Sequence, residues 1–144
     1  MVLNSSLVKG EEDWTAGVFL RTPTRVVCVS EDLGRTPIYK KLPGGRKRPG
    51  EVNPAATAVR EVAEETGIRI SPEQLQVVAV QPRGNHTYHC FVADITEQDA
   101  DNAQKYGKGG EVVHVLTLAQ LKHEAVNFMP PHRKALEAKG LWPA

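Results

Sequence analysis

Short apolar runs, rich in β-branched residues, fall at residues 16–20, 25–30, 76–80, 86–95 and 111–116, set between Gly-, Pro- and polar-rich stretches, and each predicts a strand. The turn Thr22-Pro23-Thr24 joins the first two, and Pro82-Arg83-Gly84-Asn85 joins the third and fourth. Residues 38–42 predict a further short strand that runs into the break Pro43-Gly44-Gly45 and then the basic loop Arg46-Lys47-Arg48-Pro49-Gly50. One long segment carries a helical signature. Asn53 suits the N-cap and Pro54 the first helical position, 55–66 supply the turns, and Gly67 is a natural stop. A helical turn at Ser71-Pro72, a short helix capped by Thr117 and running through Lys122, and a last helix from Pro130 to Gly140 complete the prediction. Residues 97–110 are polar and hold Gly107, Gly109 and Gly110, so they read as a mobile loop. Strands outnumber helices and the main helix interrupts them, which predicts a mixed sheet covered by helices.

Composition narrows the function classes. A chain of 144 residues with 40% hydrophobic and 24% charged residues is expected to form one domain over 1–144. No apolar run approaches the roughly 18 residues of a membrane span. Eighteen basic against seventeen acidic side chains leave a net charge of +1, which argues against a field that gathers nucleic acid or acidic lipid. Cys28 and Cys90 sit singly in strand-like runs and read as interior thiols of a reducing compartment. The stretch 1–9 lacks the basic start and long apolar core of a signal peptide, so a cytoplasmic location is expected.

The candidate chemistry lies on the long helix. At about 100° per residue, Glu61, Glu64 and Glu65 share one arc, while Ala55, Val59, Val62, Ala63 and Thr66 form the opposite, packing face. Three like charges on one face repel unless a hard divalent cation turns the repulsion into coordination; taken alone, they describe a solvated acidic face better than a metal site. Upstream, Pro43-Gly44-Gly45-Arg46-Lys47-Arg48 offers close backbone approach and positive charge to a phosphate. Acids for a metal and glycines with cations for phosphate together describe metal-assisted phosphoryl chemistry.

Gly45-Arg46-Lys47-Arg48-Pro49-Gly50-Glu51, continued by Arg60-Glu61-Val62-Ala63-Glu64-Glu65-Thr66-Gly67-Ile68, strongly resembles the Nudix box, with all nine specified residue types present over residues 45–68. The one departure is an extra residue: eight residues separate Glu51 from Arg60 where the pattern has seven. Pro54 and the register of Ala55 and Val59 predict that it sits in a bulged loop at Val52-Asn53, ahead of a regular helix over 54–66. Downstream, the strand from Glu111 and Leu118-Ala119-Gln120-Leu121 resemble the family more loosely.

The resemblance implies an α/β fold, an α/β/α sandwich with a mixed central sheet, and a hydrolase that uses Mg²⁺ or Mn²⁺ to cleave a pyrophosphate bond in a nucleoside diphosphate linked to another group. It makes Glu61, Glu64 and Glu65, with the Gly44 carbonyl, the candidate metal ligands. Arg60 would orient the acids, and Glu51 would hold Arg60 or bind metal through water. The general base is Glu61 or a loop residue, with Glu97 and Glu111 as candidates because they bracket 97–110. Arg46, Lys47 and Glu111 are candidate substrate contacts; Lys40, Lys41 and Arg48 fit a solvated basic loop as well as a phosphate clamp. His86 and His89, three apart in a strand, point to opposite faces and are poorly placed to share a metal. Trp14, Tyr88 and Phe91 suit packing or base stacking. The alternatives are a Nudix-fold module that binds nucleotide or regulates a partner without turnover, processing of nucleotide-capped RNA, and isoprenyl diphosphate isomerisation. A homodimer would be in keeping with the family.

Overall fold

The structure, a computed structural model, describes residues 12–34 and 38–144; the stretch 1–9, read above for a leader, lies outside them. Among the described residues, seven strands form one mixed sheet. In chain order they are β1 (Trp14–Arg21), β2 (Arg25–Ser30), β3 (Lys40–Lys41), β4 (Gly44–Arg46), β5 (Leu75–Arg83), β6 (His86–Asp94) and β7 (Val112–Thr117). The helices are α1 (Pro54–Thr66), α2 (Glu97–Asp101), α3 (Leu118–His123) and α4 (Pro130–Ala138), with 3₁₀ turns at Pro72–Gln74 and Ala125–Asn127.

A fork in the sheet makes the site. β1 and β2 pair antiparallel only beside their turn, through Leu20↔Val27 and Arg21↔Val26, and then separate. β3 fills the gap on the β2 side and β4 on the β1 side, where Ala16 faces Gly45 and Gly17 faces Gly44. Between them Pro43 accepts a hydrogen bond from the Val18 amide at 3.0 Å. The far edge of β1 runs parallel to β6 along its whole length, and β6 pairs antiparallel with β5. β7 lines the outer edge of β2.

β1 is buried on both faces, which is why its apolar run is unbroken. Ala16, Val18 and Leu20 join Val27, Ala58, Val62 and Phe91 under α1. Phe19 joins Val26, Cys28, Leu42, Tyr88, Leu121, Phe128 and Leu136 under α3 and α4. The result is the expected α/β/α layering. Both thiols are interior and free, with burial pushing Cys28 up to about 12 and Cys90 to about 11.

The long helix runs regularly from Pro54 to Thr66. The Asn53 side chain accepts from the Ala56 amide, and Gly67 closes the helix at φ 77° with its N–H on the Ala63 carbonyl. The extra residue therefore lies in the loop ahead of Asn53, where Val52 is largely exposed.

Three expectations need correction. The break at Gly44-Gly45 is itself a strand, because residues without a Cβ can lie flat against β1: a Cβ on Gly44 would collide with the Ala16 carbonyl oxygen. Residues 97–110 are not a free loop. They open with α2, capped by Thr96, and are then tied down by the amides of Gln104 and Lys108 on the carbonyls of Thr66 and Glu64. Finally, the packed arc of α1 is rotated toward its acids: Ala58, Val62, Thr66 and Glu65 are buried, whereas Ala55, Val59 and Ala63 are only half covered. The strand of glycines gives room for the acidic flank to press against the sheet.

Candidate active site

The loop after β4 folds back on α1 through Glu51. Glu51 accepts from the Arg48 amide (2.8 Å), from the Thr57 hydroxyl (2.8 Å) and from Arg60 Nε (2.6 Å). Thr57 in turn accepts from the Trp14 indole at 2.9 Å, so β1, α1 and the loop share one buried polar joint. The Arg60 guanidinium holds Glu51 at about 2, far below the usual carboxylate range, and Glu51 raises Arg60 in return. Arg60 also reaches Glu61 (2.7 Å), Glu64 (3.2 Å) and the Arg46 carbonyl (2.8 Å). It spreads one charge over three carboxylates and fixes their arc.

Glu65 has a different environment. Only 6% exposed, it accepts from the Gly44 amide at 3.0 Å. Burial raises it from 4.5 to about 8; the Gly44 hydrogen bond opposes that shift, while the charges of Glu61 and Glu111 add to it. Glu61 lies so close to β4 that a Cβ on Gly45 would sit 2.6 Å from its Oε2. Glu111 arrives from the far side, 7% exposed and accepting from the Gly109 amide at 3.1 Å. Gly107 lets that loop pass: a Cβ there would meet the Glu65 backbone at 2.9 Å.

These groups border one cavity of about 320 Å³, lined by Arg48, Glu61, Glu64, Glu65, Lys108, Gly109 and Glu111. Arg48 holds Glu64 with two nitrogens, at 2.9 and 3.2 Å. Among the described residues no group of three His, Cys, Asp or Glu side chains is arranged to hold a metal ion as it stands. Glu61 and Glu64 are committed instead to Arg60 and Arg48, which act as their counter-charges. The donor set nevertheless fits a hard divalent cation. Its side chains offer only carboxylate oxygens, one of them a buried acid whose ionisation is resisted by neighbouring acids.

The structure thus brings Glu51, Arg60, Glu61, Glu64, Glu65, Gly44 and Glu111 together. It does not bring Arg46 and Lys47 to the cavity: Arg46 pairs with Asp13 at 2.5 Å, and the Lys47 ammonium lies 4.5 Å above the Trp14 ring. Glu97 is also elsewhere, bonded to Thr24 (2.6 Å) and Arg25 (2.9 Å) beside the β1–β2 turn. The cations on the cavity are Arg48 and Lys108. Lys108 escaped the sequence reading; its signal was the Gly107, Gly109 and Gly110 cluster next to Glu111.

Comparison with known proteins decides the family. A family model of the Nudix domain matches residues 12–138. The chain belongs to the Nudix hydrolase family. Its members cleave nucleoside diphosphates linked to another moiety. It is 41% identical over 68 residues to the mouse (Mus musculus) protein nucleoside diphosphate-linked moiety X motif 6, a match covering 47% of this chain and 21% of that one. The chain thus spans about a fifth of that relative's length. Its fold is similar to a Nudix-family hydrolase from Clostridium perfringens, with a TM-score of 0.69 at 17% identity over 91% of this chain and 98% of that one. It also resembles part of a bifunctional NMN adenylyltransferase/ADP ribose pyrophosphatase from Francisella tularensis, solved with AMP and a manganese ion. There the TM-score is 0.64 at 19% identity, over 90% of this chain and 41% of that one. No helix among the described residues is long and apolar enough to cross a membrane.

Proposed function

We propose that this Nudix enzyme is a Mg²⁺- or Mn²⁺-dependent pyrophosphohydrolase that cuts the phosphoanhydride of a nucleoside diphosphate linked to a second group. The observation that carries the reading is Glu65, a buried carboxylate raised to about 8 and crowded by Glu61 and Glu111 across a shared cavity. In this reading Glu61, Glu64 and Glu65 hold the cation, with the Gly44 carbonyl as a further ligand. The bound ion supplies charge neutralisation at the phosphate oxygens and a more acidic water.

The remaining steps belong to the chain's own side chains. Arg60, anchored by Glu51, keeps Glu61 and Glu64 oriented. Arg48 and Lys108 stand at the rim of the acidic cavity; Arg48 pairs with Glu64, and its guanidinium would be free for a phosphate oxygen if Glu64 served as a ligand to the cation. Glu111 enters from the facing loop and receives the proton of the attacking water. The burial of Glu65 and Glu111 keeps bulk water off that face.

Hydrolysis of ADP-ribose, NADH, nucleotide sugars, dinucleoside polyphosphates and capped RNA with Mg²⁺ or Mn²⁺ tests the reading. Turnover should need the metal, release a nucleoside monophosphate, and fall by orders of magnitude in Glu65→Gln. Unchanged turnover in Glu65→Gln at saturating metal excludes the site. A tight nucleotide complex with no turnover would mark a binding module instead.

A further inference from the structure

A second cavity, of about 220 Å³, opens beside the same Gly44-Gly45 ribbon but among the residues packed under α4. Its lining includes Gly17, Lys41, Arg83, Tyr88 and His132, and no Asp or Glu. The acidic cavity has four carboxylates, so the ribbon divides an acidic from a basic compartment.

Three features make the second compartment a built site. The Tyr88 side chain is buried against Gly17, whose missing Cβ leaves room for the phenol, and its buried hydroxyl finds no well-formed hydrogen bond among the described residues. A buried hydroxyl without a partner is costly unless a ligand or water satisfies it. His132 stacks parallel on Tyr88, with ring centres 5.1 Å apart, and its Nδ1 accepts from the Leu42 amide at 3.1 Å. That places the proton of the neutral ring on Nε2, which remains as a donor. Burial and the nearby charges of Arg83 and Lys41 keep the ring neutral, pulling it down to about 3. The Arg83 guanidinium lies 4.5 Å over the Tyr88 ring and donates at 2.9 Å to the neutral Gln81 amide; among the described residues it has no carboxylate partner. Lys41 is the second cation, paired at 3.0 Å with Glu31.

A guanidinium without a carboxylate partner among the described residues, the Lys41 ammonium and a neutral imidazole, lining a space without acids, call for an anion rich in acceptor oxygens. The volume is below the roughly 300 Å³ at which pockets begin to enclose whole small molecules. It suits one phosphoryl group rather than a nucleotide. We propose that this pocket is a second anion subsite, taking a phosphate monoester carried by the substrate at a distance from the cleaved bond. The enzyme then prefers nucleoside diphosphate derivatives that bear such an extra phosphate. The substrate preference rests on the hydrolase reading; the subsite itself does not.

Two measurements test it. In the first, metal-free protein is titrated with inorganic phosphate and followed by amide and imidazole NMR shifts. Shifts should centre on Gly17, Tyr88 and His132, and Arg83→Gln should weaken the affinity by about tenfold or more, the loss expected for a charge-assisted contact. Absence of these shifts, or an affinity indifferent to Arg83→Gln, overturns the subsite. In the second, kcat/KM is compared for pairs differing only in a remote phosphate, such as NADPH with NADH and coenzyme A with its dephospho form. The phosphorylated member should be favoured, through KM, and the preference should collapse in Arg83→Gln. Phosphate shifts without any such preference assign the pocket to free orthophosphate and overturn the substrate assignment. Failure to turn over either pair overturns the substrate preference; the wider hydrolysis screen then decides the hydrolase reading, and the NMR titration decides the subsite by itself.

Discussion

Glu65→Gln separates the electrostatics of the site from its catalysis when followed without metal. Glu65 is nearly fully buried and titrates at about 8 in the fold against 4.5 for the free side chain. Between those values the folded chain holds a proton that the unfolded chain has released. A raised carboxylate contributes most below pH 4.5, and its contribution is lost as pH climbs toward 8. One proton of difference lowers stability by up to about 1.4 kcal/mol per pH unit, no more than about 5 kcal/mol across the window. For a domain of this size each kcal/mol moves the melting temperature by about 2–4 °C. Glutamine keeps the shape and an oxygen for the Gly44 amide but has no charge to bury. The assay is thermal or urea unfolding in a chelator at steps from pH 5 to 8.5. Wild type should lose stability relative to Glu65→Gln as pH rises, so the two profiles converge toward acid and diverge toward base. Mg²⁺ should restore the wild type at high pH and leave the variant unmoved. Parallel profiles, or a gap that widens toward acid, would refute the raised carboxylate and with it the electrostatic case for a cation.

Other perturbations probe the supports of the site. Glu51→Gln should reduce activity less than Glu65→Gln, because Glu51 acts on the acids only through Arg60. It should also remove a stabilising charge that wild type keeps above pH 4.5 and loses as pH falls toward 2, visible as a flatter acid limb in unfolding. Gly45→Ala puts a methyl group 2.6 Å from Glu61 Oε2, so kcat should fall well beyond any change in melting temperature; equal activity would show that Glu61 is free to move. Thr57→Val leaves the Trp14 indole and Glu51 each short of one partner and should cost about 1–3 kcal/mol in urea unfolding. Asn53→Ala removes the cap on Ala56 and should cost about 1 kcal/mol without changing KM.

What the sequence determined by itself was local. Asn53, Pro54 and Gly67 bounded the long helix through capping and φ preferences that need no distant partner, and the helical period alone put Glu61, Glu64 and Glu65 on one arc. Pro54 likewise forced the extra residue out of the helix and into the loop. The motif at 45–68 carried the family. Tertiary structure decided which arc faced what. A helical period fixes relative angles but not the direction of the sheet, so Glu65 was expected on the arc opposite the packing face and instead lies buried against Gly44. The fork between β1 and β2 turned Gly44-Gly45 from a break into a strand, because pairing depends on a neighbour far along the chain. Lys108 and Glu111 come to the cavity only because amides of the intervening loop bind the carbonyls at the end of α1, and Arg48 takes the place expected of Arg46 and Lys47. Gly17, Arg83, Tyr88 and His132 share no local pattern at all. Only the parallel pairing of β1 with β6 and the packing of α4 on that face bring them to one pocket, and no spacing rule along the chain encodes such a meeting.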